Sequence, residues 1–134
     1  MVYETIQKAL ENVPIEVNGN ISTDFLFIDD AVNAALEAYE KVSDFQIFNI
    51  GSGHATTLKS LCSKLIELTK SLSQIKYSTE ISGHLSLDVS KARRILEYEP
   101  TELEDGLLSY INYIKIIMFY TNLNIVNIFS KTHF

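Results

Sequence analysis

One cysteine, Cys62, stands in 134 residues, so no disulfide framework can form within the chain. It falls on the apolar side of a helical pattern, where a buried free thiol is expected rather than a nucleophile. Cationic residues are also few: 11 Lys and Arg face 17 Asp and Glu, for a net charge of −6. The lack of a basic stripe to replace counterions on phosphates argues against a nucleic-acid partner. The one local basic group, Lys91, Arg93 and Arg94, lies among acids and reads as a solvated helix face. The three histidines, His54, His84 and His133, form no metal-ligand spacing with Cys62, and no serine, histidine and carboxylate set recurs at a recognisable spacing. The N-terminus shows neither a basic leader nor an apolar signal core, from which a cytoplasmic location is expected.

What remains is an ordinary globular composition, 46% apolar and 21% charged. The length suits one domain and is too short for a nucleotide domain plus a substrate domain.

The central stretch is Phe45-Gln46-Ile47-Phe48-Asn49-Ile50-Gly51-Ser52-Gly53. Its apolar run stops at two glycines and a helical pattern follows, which predicts strand, tight loop and helix. Thr56 or Thr57 caps that helix, and Leu58, Leu61, Cys62, Leu65 and Ile66 form its buried face. Free amides at a helix start suit an anion, but Thr56 replaces the third glycine of a dinucleotide fingerprint. A phosphate cradle and a plain connection both fit.

Upstream, residues 3–12 read as an amphipathic helix stopped at Pro14. Residues 15–17 read as a short strand ending in an Asn18-Gly19 turn. The continuous run Phe25-Leu26-Phe27-Ile28 predicts a strand buried on both faces. Asp29 and Asp30 then open a helix with Val32, Ala35, Leu36 and Tyr39 inward. Adjacent carboxylates diverge at a helix start, so capping is favoured over a metal or acid–base pair.

Downstream, residues 75–81 give a weak strand. Asp88 caps a short helix that buries Val89, Ala92, Ile95 and Leu96. After Pro100, Thr101-Glu102-Leu103-Glu104 has the capping-box pattern before a helix with Leu103, Leu107, Tyr110, Ile111 and Ile114 on one stripe. Residues 116–134 carry one clear cation, Lys131, and no carboxylate side chain. Residues 110–129 are long enough to span a bilayer, but Lys115, Asn112, Asn122, Asn124 and Asn127 are costly at that depth. A frayed or aggregation-prone extension is expected there instead.

In order along the chain, Asp24-Phe25-Leu26-Phe27-Ile28-Asp29-Asp30-Ala31, Phe48-Asn49-Ile50-Gly51-Ser52-Gly53, Leu87-Asp88-Val89-Ser90-Lys91-Ala92-Arg93 and Tyr98-Glu99-Pro100 resemble the C-terminal part of the extended short-chain dehydrogenase/reductases. These are the NAD-dependent nucleotide-sugar epimerases and dehydratases typified by UDP-glucose 4-epimerase. The resemblance runs from about Val2 to Lys115. It implies an α/β fold, the substrate-binding region of such an enzyme, with about five helices and a few short strands.

It also implies a division of labour. The family binds NAD and performs its chemistry through an N-terminal Rossmann half with a Gly-x-x-Gly-x-x-Gly turn and a Tyr-x-x-x-Lys pair. None of the seven tyrosines here has a lysine four residues on, and no triple-glycine turn occurs. No catalytic, cofactor-binding or metal-binding residue is therefore assigned. The resemblance makes Asn18, Thr23, Gly51, Ser52 and Asp88 the positions facing a nucleotide-sugar. Thr23 stands where the family commonly has a phosphate-binding arginine, and residues 77–87 lack the second arginine, which removes two charge-assisted contacts. The expectations are a substrate-binding region over 1–115, inactive alone and needing a Rossmann-half chain in trans, and an unrelated tail over 116–134 of the kind a split or frame-shifted gene produces. A non-catalytic interaction module or a decayed remnant is the alternative.

Overall fold

The computed structural model describes residues 1–130; His133 and the end of the tail lie outside the described residues. Helix α1, Val2–Leu10, buries Thr5, Ile6 and Ala9, which share one face. Strand β1 is Ile15–Asp24, far longer than the three residues expected. Asn18-Gly19 does not reverse the chain. Gly19 takes φ +83 within the strand, where the ladder slips. From Asn18 to Asn20 the facing strand β3, Ile75–His84, advances from Ser78 to Ser82. A glycine tolerates that left-handed kink, so the turn signal became an irregularity in a continuing strand.

β1 lies between β2, Ala55–Thr57, and β3, in the order β2-β1-β3. It pairs antiparallel with β2 and parallel with β3. The parallel crossover contains α2, Ile28–Lys41, then β2, then α3, Leu58–Thr69. α3 matches its sequence pattern: Leu61, Cys62 and Leu65 are buried, and Thr57 Oγ1 accepts from the Ser60 amide at 3.0 Å. α4, Ser90–Leu96, buries Ala92 and Leu96, with Val89 just ahead of it also buried. α5, Leu103–Ser130, buries Leu107, Ile111 and Ile114, and runs without a break across residues 115 and 116.

Three apolar clusters form the core. Ile6, Leu61, Leu65, Leu107, Ile111 and Ile114 join α1, α3 and α5. Ala9, Ile15, Val17 and Cys62 seat α1 and α3 on β1. Ala34, Val89, Ala92, Leu96 and Tyr98 join α2 to α4, with Phe48 and Ile50 against them. Cys62 is the expected buried free thiol, its pKa pushed up by burial.

Several expectations fail here. Residues 25–27 lie outside the sheet, and Ile28 already begins α2. Residues 45–50 also stay out of the ladder, and the strand beside the glycines is β2, after them. An apolar run becomes a strand only where another strand meets its backbone. α2 turns Val32, Ala35, Leu36 and Tyr39 outward and buries Asp30 and Ala34. Neither aspartate caps it: the N-cap is Phe27, without a side-chain bond. The capping box at Thr101 is spent elsewhere too. Thr101 donates its amide and hydroxyl to Asp30, at 2.9 and 2.7 Å.

Candidate functional site

Asp24 ends β1, and its carboxylate gathers two other segments. Oδ1 accepts from the Ser52 amide and the Ser52 hydroxyl, both at 2.7 Å. Oδ2 accepts from the Gly53 amide at 3.0 Å and from the Leu87 amide at 3.3 Å. Burial opposes the charge, but the Ser52 hydroxyl and the Ser52, Gly53 and Leu87 amides outweigh it and hold the carboxyl below its ordinary value. The Gly-Ser-Gly loop is therefore bent around an anion of the protein's own.

The two glycines serve this knot differently. A Cβ on Gly51 would stand 2.8 Å from Asp24 Oδ2 and 2.9 Å from Leu87 Cδ1, and Gly53 takes φ +78. From behind, the buried Tyr98 hydroxyl donates to the Gly51 carbonyl at 2.8 Å. Burial, then the Asp30 and Asp24 charges, push its pKa up to about 12. It stays a protonated strut and is no acid–base candidate.

The rim is polar and largely uncharged. Ser22 Oγ and His84 Nδ1 lie 2.8 Å apart across β1 and β3, one residue before Thr23. The Asn49 side-chain Nδ2 donates to the Asp88 backbone carbonyl at 3.2 Å, and Asp88 Oδ1 accepts from the Ser90 amide at 2.9 Å. The expected cap, Asp88, stands one residue outside the helix end: the N-cap is Val89, without a side-chain bond. Lys91 is less bland than expected: its Nζ donates to the Ile47 carbonyl at 2.8 Å and lies over the Phe48 ring.

Of the five positions expected to face substrate, Thr23, Gly51, Ser52 and Asp88 meet at this end of β1. Asn18 does not. It sits five residues back along the strand, opposite Ser78, roughly 17 Å away for an extended chain. Sequence reasoning passed over Asp24, Tyr98 and Ser22, because only folding brings residues 24, 52, 53 and 87 together. A cavity of about 410 Å³ lies elsewhere, lined mainly by Phe25, Phe27, Thr101, Leu103, Gly106 and Tyr110, and includes none of the five.

The phosphate reading of the loop is corrected by this geometry. The Ser52 and Gly53 amides already hold a carboxylate, and a pyrophosphate brought to them would meet the Asp24 charge. The described residues do not fit NAD here. Among them, no cluster of His, Cys, Asp or Glu could hold a metal ion, and no helix is long and apolar enough to cross a membrane.

No protein-family model matches the chain. Among curated proteins it is 30% identical over 116 residues to the dTDP-4-dehydro-6-deoxyglucose reductase of Escherichia coli, covering 82% of this chain and 37% of that protein. It is 28% identical over 119 residues to an uncharacterized UDP-glucose epimerase of Bacillus subtilis, covering 84% and 38%. Among solved structures, the Thermotoga maritima UDP-glucose 4-epimerase, determined with UDP-glucose, superposes with a TM-score of 0.79 at 31% identity, covering 87% of this chain and 40% of its own. The Bacillus cereus UDP-glucuronic acid 4-epimerase, determined with NAD, gives 0.72 at 27% identity, covering 86% and 39%. The chain thus spans about two fifths of the length of the relatives it matches. In sequence and in fold it corresponds to the C-terminal part of the NAD-dependent epimerases and dehydratases, the extended short-chain dehydrogenase/reductases.

Proposed function

We propose that this chain supplies the sugar-nucleotide side of an epimerase- or reductase-type active site, inactive by itself, while a separate Rossmann-type part in trans holds NAD and the acid–base pair. The observation that carries this is the superposition on the Thermotoga maritima enzyme, whose structure contains UDP-glucose. The local chemistry agrees. Thr23 and the Ser22–His84 pair add neutral polar groups beside the Asp24 knot, which suits the hydroxyls of a sugar. Thr23 and the arginine-free residues 77–87 leave the diphosphate with weak support. Affinity of the isolated chain should accordingly be low.

Amide NMR of the full chain titrated with UDP-glucose tests the reading. Shifts confined to residues 20–24, 49–54 and 84–88 at millimolar sugar are expected. A dispersed spectrum indifferent to the sugar would overturn it. The second reading, a non-catalytic interaction module, is favoured by one observation: the loop amides that an anionic ligand would use are already bound to Asp24.

A further inference from the structure

α5 carries two apolar stripes. Leu107, Ile111 and Ile114 are buried in the core, and Met118 is half-buried against the same cluster. On the other side Tyr113, Ile116, Ile117, Phe119 and Tyr120 are 58%, 54%, 36%, 62% and 61% exposed. Their spacing puts Tyr113, Ile116, Ile117 and Tyr120 in a strip about 100° wide, turned about 140° from the inner stripe, with Phe119 at its edge. One core cannot cover both stripes. All five outer residues lie after the last family motif, Tyr98-Glu99-Pro100, and the sugar reading uses none of them.

The stripe has the character of a protein contact. Tyr113 stacks on Tyr110 with ring centroids 6.4 Å apart, and Phe119 meets Tyr120 edge-on at 5.9 Å. Rings held in place beforehand lose little freedom on docking. A lipid surface fits worse. No helix among the described residues is long and apolar enough to cross a bilayer. A helix lying flat on one needs a basic far side, whereas residues 106–121 offer only Lys115 in a chain of net charge −6. Charge along the helix is also graded: carboxylates stop at Asp105, and the only lysines after it are Lys115 and Lys131. Two copies running antiparallel set each acidic first turn beside the other's carboxylate-free end, whereas a parallel pair would set the acidic turns against each other. The area suffices for such a pair. Three aromatic residues of about 150–250 Å² each, some three fifths exposed, with the two isoleucines, offer about 500 Å² per copy and about 1,000 Å² for the pair, the lower bound of a specific interface.

We propose that the outer stripe of α5 pairs with the same stripe of a second copy of this chain, antiparallel about a two-fold axis near residues 116 and 117. Such a contact uses one patch twice and closes at the dimer. It does not depend on the in-trans reading above.

Sedimentation velocity of the full chain, from about 1 to 500 µM, is the test. A monomer passing to a dimer, half-formed between about 10 and 100 µM, is expected for a contact of this size. Ile116→Asp and Tyr120→Asp should each weaken the dimer at least about tenfold. Both should leave the melting curve of the dilute chain in place, since both side chains are open in the monomer. Ser109→Cys reports the orientation. Residue 109 is exposed on the outer side of α5, and antiparallel pairing sets the two copies of it about 22 Å apart along the axis. Oxidation should therefore not link them, while Cys62 stays buried. A chain still monomeric at the highest concentration overturns the proposal, as does a dimer indifferent to both aspartate variants. A disulfide-linked Ser109→Cys dimer overturns the antiparallel arrangement. Growth past the dimer assigns the stripe to open-ended aggregation and overturns the closed pair. Binding of a monomeric chain to mixed phosphatidylcholine and phosphatidylglycerol vesicles, lost in both aspartate variants, assigns the stripe to a membrane and overturns the occupant.

Discussion

The Asp24 carboxylate accepts from four donors on two distant segments, and its pKa lies below the ordinary 3.8 in the folded chain. A depressed acid contributes stability that is complete above its unfolded pKa and lost as pH falls through its folded one. The window is therefore acidic, below about pH 4. Asp24→Asn keeps the shape and loses the charge. It should cost about 2 kcal/mol at pH 7, the range for a hydrogen-bonded charged group, and flatten the acid limb of stability. Denaturant titrations at pH 7 and thermal melts from about pH 2 to 5 check this; equal acid slopes in the two proteins would refute the knot's role. The sequence did mark Gly51 and Gly53 as a tight loop, the kind of place that resists a Cβ. It could not say that at Gly51 the obstacle is Asp24 and Leu87, while at Gly53 it is the φ of +78.

At the scale of elements, α1, α3, α4 and α5 were legible because one stripe of each faces the core. Leu61, Leu65, Ala92, Leu107 and Ile111 fall where helical spacing puts them. α2 was legible as a helix but misleading as to its face, since periodicity reports that a stripe is apolar and not which neighbour covers it. This separates two substitutions of equal chemistry. Leu65→Ala, in a fully buried site, should cost 2–5 kcal/mol in roughly the range of buried leucines, whereas Leu36→Ala should stay within about 0.5 kcal/mol. Denaturant midpoints of the two variants decide it, and a large loss for Leu36→Ala would mean that α2's outer face is covered within the chain. The runs at 25–28 and 45–50 failed as strands for the same reason: a ladder needs a second backbone, and composition does not show where that backbone is.

At the scale of the molecule, three clusters and a three-stranded sheet close around α1, α3, α4, α5 and β1, while α2 and residues 45–50 keep open apolar faces. A chain spanning about two fifths of its relatives' length, in which no tyrosine has a lysine four residues on, should show no turnover of UDP-glucose alone. Mixing it with the remainder of the Thermotoga maritima enzyme in the presence of NAD should produce epimerase activity that neither shows separately. A coupled assay for UDP-galactose reads this, and no turnover in any mixture that still forms the complex would sink the catalytic part of the proposal. By itself the sequence determined the helices, the buried Cys62, the tight loop at Gly51 to Gly53 and the family resemblance, because these depend on local periodicity, glycine geometry and ordered motifs. Tertiary structure alone decided that Asp24 fills the loop an external phosphate would use, that Asn18 stands apart, and that α2 faces outward. Each of those depends on which distant segment arrives to supply a donor, a backbone edge or an apolar cover.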